Sequence, residues 1–103
     1  MRSVYVIRLQ DEVAQDTRFR EANPDYRDGK PCVYVGETGL SVDERFRNHL
    51  AGHRASRWVT KFGRHLIRRR CRIEVATNAE EAHAQEAALA ARLRRRGWGV
   101  WSN

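Results

Sequence analysis

The sequence predicts an α+β domain in which a small central antiparallel sheet of about three strands is flanked by helices. Three short segments are rich in β-branched and aromatic residues, as strands are, and two longer segments combine helical periodicity with capping signals. A chain of 103 residues is long enough for one small core, so residues 1–103 are expected to form a single domain. The strand-like segments are residues 3–9, 31–36 and 71–76.

A polar connector separates the first two strands. Residues 10–30 carry six acidic side chains together with Pro24 and Gly29, which is typical of a surface insertion. At most one helical turn is expected within it, at about residues 17–22. The strands on either side can still pair antiparallel across this long connection.

The first predicted helix begins with a capping box, in which Ser41 and Glu44 can each satisfy a backbone N–H group that has no partner within the helix. Gly52 is expected to end this helix. Arg45 and His49 lie one turn apart on one of its faces. The adjacent core stripe is predicted to consist of Val42, Phe46 and Leu50.

Four further elements complete the predicted order. A short helix is expected at residues 56–62, and residues 98–103 form a short tail or a further strand. Asn78, with Glu81 three residues later, caps a long helix over about residues 79–96. The strand at residues 71–76 alternates apolar and charged side chains, which predicts that one set of residues faces inward. That set is Cys71, Ile73 and Val75.

Glu86 is the most informative residue of the long helix, because it projects from the apolar stripe of that helix. Burying a lone ionised carboxylate costs several kcal/mol, so such a group needs a cation, a proton or a water-filled cleft beside it. A functional cleft at Glu86 is therefore expected. The surrounding stripe consists of Ala82, Leu89, Ala90 and Leu93.

The charge of the chain favours a nucleic acid as its partner. The formal net charge is +7, and 18 arginines stand against two lysines, which favours planar partners such as phosphates. Between Arg45 and Arg72 there are ten basic residues and no acid. An ordinary solvated face is the alternative interpretation of this run. Trp58 and Phe62 interleave with it, but their spacing fits a helix core better than a base-stacking platform.

The N-terminal residues lack the apolar core of a secretory signal, and no apolar run approaches the roughly 20 residues of a membrane span. The sequence therefore predicts a cytoplasmic protein without a membrane partner. Cys32 and Cys71 are isolated and offer no zinc signature. They are expected to be small buried hydrophobic residues, with one disulfide as the alternative.

Several of these residues occur in the order of a known set of motifs. Val4-Tyr5-Val6 lies on the first strand, Tyr34-Val35-Gly36 on the second, and Asn103 at the end of the chain. With Arg45 and His49 on one helix and Glu86 on another, the order resembles the GIY-YIG nuclease domain, here as a small stand-alone member. The resemblance spans essentially the whole chain, although Val4 stands where the family has a glycine.

The resemblance implies an endonuclease that depends on Mg²⁺ or Mn²⁺ and hydrolyses phosphodiester bonds in DNA. It assigns Tyr5 to positioning or deprotonating water, Arg45 to holding the scissile phosphate, and Glu86 to ligating the metal. Tyr34 would line the same pocket, and His49 matches a polar residue often found one turn beyond the arginine. The residues expected to contact the nucleic acid are Gly36, Arg54, Arg57, Lys61 and Asn103.

Two departures from the family leave roles open. Some members have a lysine just after the second motif, where this chain has Glu37. Without that cation Tyr5 is harder to ionise, so either Tyr5 or His49 can be the base. The chain between Tyr5 and Tyr34 is also much longer than the family's hairpin connection. The insertion at residues 10–30 could gate DNA access, bind another protein or contact a second copy of the chain in a homodimer.

The sequence thus predicts an endonuclease with structure-selective or weakly sequence-specific cleavage, as in DNA repair or defence. A second hypothesis is a nucleic-acid-binding module that keeps the fold without the chemistry, which the degenerate first motif and Glu37 favour. A third is an interaction protein that uses the acidic insertion against a basic partner.

Overall fold

Five strands form one mixed sheet in residues 1–102, the part of the chain that the computed structural model describes. The strand order is β3-β1-β2-β5, and β4 pairs with β1 as well. The pairs are antiparallel except that β5 runs parallel to β2. The strands are β1 (Arg2–Leu9), β2 (Cys32–Thr38), β3 (Gly63–Leu66), β4 (Arg72–Ala76) and β5 (Gly99–Ser102).

Four α-helices and two short 3₁₀ helices surround this sheet in the same residues. Two predicted caps are confirmed, since the side chain of Ser41 accepts the Glu44 N–H and that of Asn78 accepts the Glu81 N–H. The α-helices are α1 (Thr17–Glu21), α2 (Val42–Leu50), α3 (Arg57–Phe62) and α4 (Ala79–Arg95). The 3₁₀ helices are Asp11–Gln15 and Arg68–Arg70.

The central strand β1 shares one of its edges between β3 and β4. β3 pairs with the Ile7–Leu9 end and β4 with the Arg2–Val4 end. Between these two strands, the backbone of Val6 makes hydrogen bonds outside the strand pairs. Its carbonyl accepts the Ile67 N–H at 2.8 Å, and its N–H donates to the Cys71 sulfur at 3.4 Å. The side chain of Cys71 therefore satisfies a backbone donor that neither strand reaches.

Alternation along β1 and β2 divides the core between two faces of the sheet. We call the face that carries Tyr5, Ile7, Leu9, Cys32 and Tyr34 the front face, and α2, α3 and the insertion pack against it. We call the opposite face the back face, and α4 packs against it through Leu89, Ala90 and Leu93. The residues of the back face are Val4, Val6, Val33 and Val35.

The α+β class is confirmed, but the predicted sheet of about three antiparallel strands is too small. The C-terminal tail became β5, which pairs with β2 in parallel. β3 was missed because its residues include the exposed Arg64 and His65. Only Leu66 of that strand is buried, so β3 lacks the apolar alternation by which strands are recognised.

The insertion at residues 10–30 packs into the core and is not a detached surface loop. Val13 and Phe19 are fully buried in the front-face core. The buried side chain of Asn23 accepts the Val100 N–H at 2.8 Å and donates to the Val100 carbonyl at 3.0 Å, so it covers the outer edge of β5 as a strand would. The helical turn predicted at about residues 17–22 is confirmed as α1, and the 3₁₀ helix Asp11–Gln15 was not predicted. The apolar contacts of Val13 and Phe19 stabilise both.

Two predicted core positions are wrong. Ile73 is 58% exposed, because Glu74 has a positive φ of 51° and breaks the alternation of β4. Leu50 is 52% exposed, whereas His49 of the same helix is completely buried. The buried face of α2 therefore includes His49 instead of Leu50, a rotation of about one residue from the predicted stripe.

Both cysteines are free thiols, with Cys32 buried and Cys71 partly buried, so the disulfide alternative is wrong. In the part of the chain that is described, no helix has the length and hydropathy that a membrane span requires.

Candidate active site

Two tyrosines lie side by side on the front face. Tyr5 of β1 is opposite Gly36 of β2, and Tyr34 is two residues before Gly36, so both rings project from the same face. Their centroids are 6.2 Å apart, and both side chains are about 1% exposed. The register of the first strand pair therefore brings the tyrosines of the two motifs together.

Gly36 makes room for the Tyr5 ring. A Cβ atom at this position would lie 2.4 Å from the Tyr5 hydroxyl oxygen and 2.5 Å from Cζ. Such distances are well inside van der Waals contact, so any larger residue would displace the ring. The requirement for glycine here is steric. The predicted contact of Gly36 with nucleic acid stays a prediction.

His49 bridges the two strands and the loop that follows α2. Its Nε2 atom lies 2.8 Å from the Tyr5 hydroxyl oxygen, and its Nδ1 atom accepts the backbone N–H of Ser56 at 3.1 Å. The imidazole ring also contacts both tyrosines, with centroids 5.7 and 5.5 Å away.

The bond from Ser56 fixes the tautomer of His49. A backbone N–H can only donate, so Nδ1 carries no hydrogen and a neutral ring must carry it on Nε2. Burial, aided by the positive charge of Arg45, lowers the pKa of His49 to about 4, so the ring is neutral near pH 7. His49 therefore donates a hydrogen bond to Tyr5, and its Nε2 atom cannot accept a proton.

The groups around Tyr5 shift the pKa of its phenol in opposite directions. Burial is the largest cause that raises the pKa of its phenol well above the usual value, and Tyr34 and Glu86 raise the pKa further. Arg45 lowers it through its charge and a hydrogen bond. Without a further cation Tyr5 is a neutral phenol at pH 7, and its hydroxyl hydrogen points away from His49.

Arg45 also organises the loop between α2 and α3. Its guanidinium donates to the carbonyl of Arg54 at 2.9 Å and to that of His53 at 3.4 Å. Arg54 has a positive φ of 49°, a conformation that L-residues other than glycine rarely adopt. Arg45 thus uses two of its N–H groups to stabilise a strained loop. A guanidinium has five N–H groups, so three are left for other acceptors.

A cavity of about 290 Å³ opens beside these residues. Three cations line it, since Arg54 and Arg57 join Arg45 at its wall. Three aromatic residues line it as well, and these are Tyr34, Trp58 and Trp101. A neighbouring cavity of about 510 Å³ is lined by Arg57, Trp58, Lys61 and Phe62, among others. The two cavities share Arg57, so together they form a continuous cationic surface.

Glu86 is 1% exposed on α4, as the sequence predicted from its place in the apolar stripe. Its negative charge raises the pKa of Tyr5, so the two residues lie within electrostatic reach of each other. Among residues 1–102, no group of three or more His, Cys, Asp or Glu side chains could hold a metal ion. A single carboxylate still fits Mg²⁺, because that ion keeps most of its waters and needs only one or two protein carboxylates.

The structure therefore brings four of the predicted catalytic residues, Tyr5, Tyr34, Arg45 and His49, into one cluster. Arg54 and Arg57 line the cavity at this cluster, whereas Lys61 lies in the neighbouring cavity, 5.2 Å from the Phe62 ring. Asn103 lies outside the described residues.

Two contributors were not predicted. Trp101 lines the cavity and packs on Trp58 with ring centroids 4.5 Å apart. The expectation of a short tail or a further strand at residues 98–103 did not single it out. Ser56 was predicted near a helix start, but its backbone bond to His49 had no sequence signal. Glu37 forms an ion pair with Arg2 at 2.7 Å, so the charge of its carboxylate is balanced within the fold.

Comparison of the chain with family models, with curated proteins and with solved structures gives no match. The likeness to GIY-YIG nucleases therefore stays a prediction from the residues.

Proposed function

We propose that this protein is a metal-dependent endonuclease that hydrolyses phosphodiester bonds in DNA. The observation that carries the proposal is the hydrogen-bonded pair of Tyr5 and His49 beside Arg45, at the edge of a cavity lined by three arginines. Such a cluster offers donors for a phosphate and a phenol oxygen whose charge its neighbours control. These are the parts that phosphodiester hydrolysis needs from a protein.

The arginines would hold the substrate. Arg45 uses two N–H groups on the loop carbonyls and can direct others to a phosphate oxygen. Arg54 and Arg57 are exposed at the same cavity and would contact phosphates on either side of the cleaved bond. Loss of one donor to the charge that develops in the transition state commonly costs a hundredfold or more in rate.

Tyr5 would be the residue that positions and deprotonates water. His49 donates its Nε2 hydrogen to the Tyr5 oxygen, and a donor favours the phenolate over the phenol. The charge of Arg45 acts in the same direction. Because Nε2 of His49 already carries hydrogen, His49 would be a positioning residue and Tyr5 the base. Tyr34 would line the pocket against both rings.

Glu86 would hold Mg²⁺ or Mn²⁺ through a hard carboxylate oxygen. A bound divalent ion supplies Lewis-acid stabilisation of charge on phosphoryl and leaving oxygens, and it would lower the pKa of nearby acids. Glu86 is buried on α4, and its charge raises the pKa of Tyr5, so it lies within electrostatic reach of that phenol.

The arrangement favours recognition of DNA shape over base sequence. The groups at the cavity are mainly guanidinium donors, which contact phosphates, and phosphate contacts position a protein without reading bases. Structure-selective or weakly sequence-specific cleavage is therefore the form of activity that we propose.

The test is incubation of the purified chain with supercoiled, branched and single-stranded DNA in Mg²⁺, in Mn²⁺ and in EDTA. We expect nicking with either metal and none in EDTA. Glu86→Gln keeps the volume of the side chain and should lower the rate at least about a hundredfold. Arg45→Lys keeps a cation but loses the planar fork, and it should also lower the rate strongly.

Binding measured in EDTA separates the enzyme from an inactive module of the same fold. A folded chain that binds DNA but cuts none of the three substrates would be a binding module. Nicking that Glu86→Gln leaves unchanged would contradict the proposed metal site. Thermal unfolding of each variant shows whether a loss of rate comes from a loss of fold.

A further inference from the structure

A second group of arginines lies on the side of the sheet opposite the candidate active site. Arg70 follows β3, and its guanidinium lies 5.0 Å from the ring centre of Trp98. Trp98 is buried in the back-face core with Val4 and Val6. The Arg70 guanidinium therefore belongs to the back of the molecule, whereas Tyr5 and Tyr34 belong to the front.

Four more arginines surround Arg70. Burial is the largest cause that lowers the pKa of Arg70, and the positive charges of the four neighbours lower it further. Two neighbours, Arg92 and Arg96, are one turn apart near the end of α4, which spaces such side chains about 5–6 Å apart. We call the five the back arginine cluster, and it consists of Arg69, Arg70, Arg72, Arg92 and Arg96.

None of the five ion pairs found in the described part of the chain, residues 1–102, includes a member of this cluster. The ion pairs of the described residues involve other arginines, which are Arg2, Arg8, Arg20, Arg57 and Arg68. Four members of the cluster are exposed, and the Nε atom of half-buried Arg70 has no hydrogen-bond partner among the described residues. A buried donor without a partner and five like charges both cost free energy, which an anion at this place would offset.

A groove continues the cluster along the molecule. A cavity of about 510 Å³ lies between the end of β1 and the turn after β3, and its lining includes Arg8, His65, Arg68, Arg69 and Trp98. Arg8 and Arg68 are paired with acids, but both still present positive side chains to this groove. Arg69 belongs to the back arginine cluster and also lines this groove, so the groove adjoins the cluster.

We propose that the back arginine cluster binds the phosphate backbone of a second segment of duplex DNA. The charges come from three elements, which are the 3₁₀ helix Arg68–Arg70, β4 and the end of α4. They spread over an open surface, which suits a ligand with repeated charges better than a single phosphate. Duplex DNA carries one charge per about 1.7 Å of its axis. Arginine forks match phosphate oxygens in pairs.

This inference goes beyond the proposed cleavage, because it does not depend on chemistry at the front. A chain with cationic surfaces on opposite sides of its sheet can hold two duplex segments at once. Branched DNA presents two such segments close together, so the second surface would favour branched over linear substrates.

The first test measures binding of the full chain to a short labelled duplex in EDTA at several salt concentrations. Arg92→Gln/Arg96→Gln should make the plot of log K against log salt shallower by about 1.8, because two phosphate contacts are lost. Arg18→Gln/Lys30→Gln is the matched control, since it removes the same charge from exposed positions in the insertion. An equal slope change in both variants would overturn the proposal.

The second test asks whether one chain holds two duplexes. An immobilised duplex should capture a second, labelled duplex in the presence of the protein, and sedimentation should give one copy of the chain per pair of duplexes. Arg92→Gln/Arg96→Gln and the front variant Arg54→Gln/Arg57→Gln should each retain one duplex and lose the bridge. One duplex per chain would overturn the proposal, as would a bridge that needs two copies.

Polyglutamate is the competitor that separates DNA from an acidic protein partner. If the surface is built for duplex DNA, polyglutamate of equal charge should displace the duplex only weakly. If polyglutamate displaces it fully at equal charge concentration, the surface is a site for an acidic polypeptide and the proposal is wrong. Far-ultraviolet circular dichroism of the Arg92→Gln/Arg96→Gln variant controls for loss of α4.

Discussion

The two faces of the sheet come from the same strands, yet they bury different chemistry. The front face buries Tyr5, Tyr34 and His49, whose polar atoms are placed by the fold. The back face buries only valines from β1 and β2, packed against the leucines of α4. One residue of offset along a strand therefore separates a polar cluster from an aliphatic core.

The arginines of the two faces differ in whether they have partners within the fold. On the front, Arg45 donates to loop carbonyls, and Arg57 lies 3.9 Å from a carboxylate oxygen of Asp16. On the back, the five arginines of the back arginine cluster have no acidic partner among residues 1–102. Partners within the fold therefore orient the front arginines, whereas the back arginines mainly add positive charge to the surface.

The largest expected effect comes from removing one oxygen atom from the front face. Tyr5→Phe keeps the ring but removes the hydroxyl that His49 contacts, so nicking should fall by about a hundredfold to ten-thousandfold. Tyr26→Phe is the control, because its hydroxyl donates to the Lys30 carbonyl and contacts Cys32, outside the cluster that includes Tyr5. Nicking by Tyr5→Phe within threefold of the parent would show that the front face does not carry the chemistry.

Acid should destabilise the protein through the front face. The folded pKa of His49, about 4, lies below its usual value near 6.5, so protonation favours the unfolded chain as the pH falls from about 6.5 to 4. Its stabilising contribution is full above pH 6.5, and its loss amounts to about 3 kcal/mol by pH 4.

Urea unfolding at several pH values measures this loss. His49→Gln removes the titrating group and should flatten the change, whereas His65→Gln, at an exposed position, should leave it intact. An unchanged pH dependence in His49→Gln would mean that other groups cause the acid sensitivity.

Gly36→Ala should disturb the front face while leaving the back face intact. The added Cβ would lie 2.5 Å from the ring carbon Cζ of Tyr5, so the free energy of unfolding should fall by about 1–3 kcal/mol. Gly39→Ala is the control, because its Cβ would meet only the mobile end of the Arg2 side chain. Equal destabilisation of both variants, measured by urea unfolding, would contradict a specific clash at Tyr5.

The smallest effect is expected at Ile73, which lies outside both cores. Because Ile73 is 58% exposed, Ile73→Thr should change the free energy of unfolding by less than about 0.5 kcal/mol. The matched substitution Val35→Thr, in the back-face core, places a hydroxyl where no water reaches and should cost at least about 1 kcal/mol. If urea unfolding shows that both variants lose a similar free energy of unfolding, Ile73 is buried in solution and the prediction is wrong.

The sequence by itself determined the α+β class, the main helices with their caps, and the burial of Glu86. Each of these depends on local periodicity or on side chains within one turn of each other, and such interactions are the same in any fold. The tyrosines of β1 and β2 could also be placed on one face once the strands were paired. The excess of arginine over acid between residues 45 and 72 was equally visible.

Only the tertiary structure decided what depends on distant contacts. The parallel pairing of β5, the burial of Phe19 in the insertion and the reversal at Ile73 all require partners far away in the chain. So does the role of His49, because a backbone N–H seven residues later fixes its hydrogen on Nε2. Arginines that look alike in the sequence became a front and a back group because the sheet separates them. The physical reason is that local patterns set which side chains can be buried, whereas packing between elements sets which partners they meet.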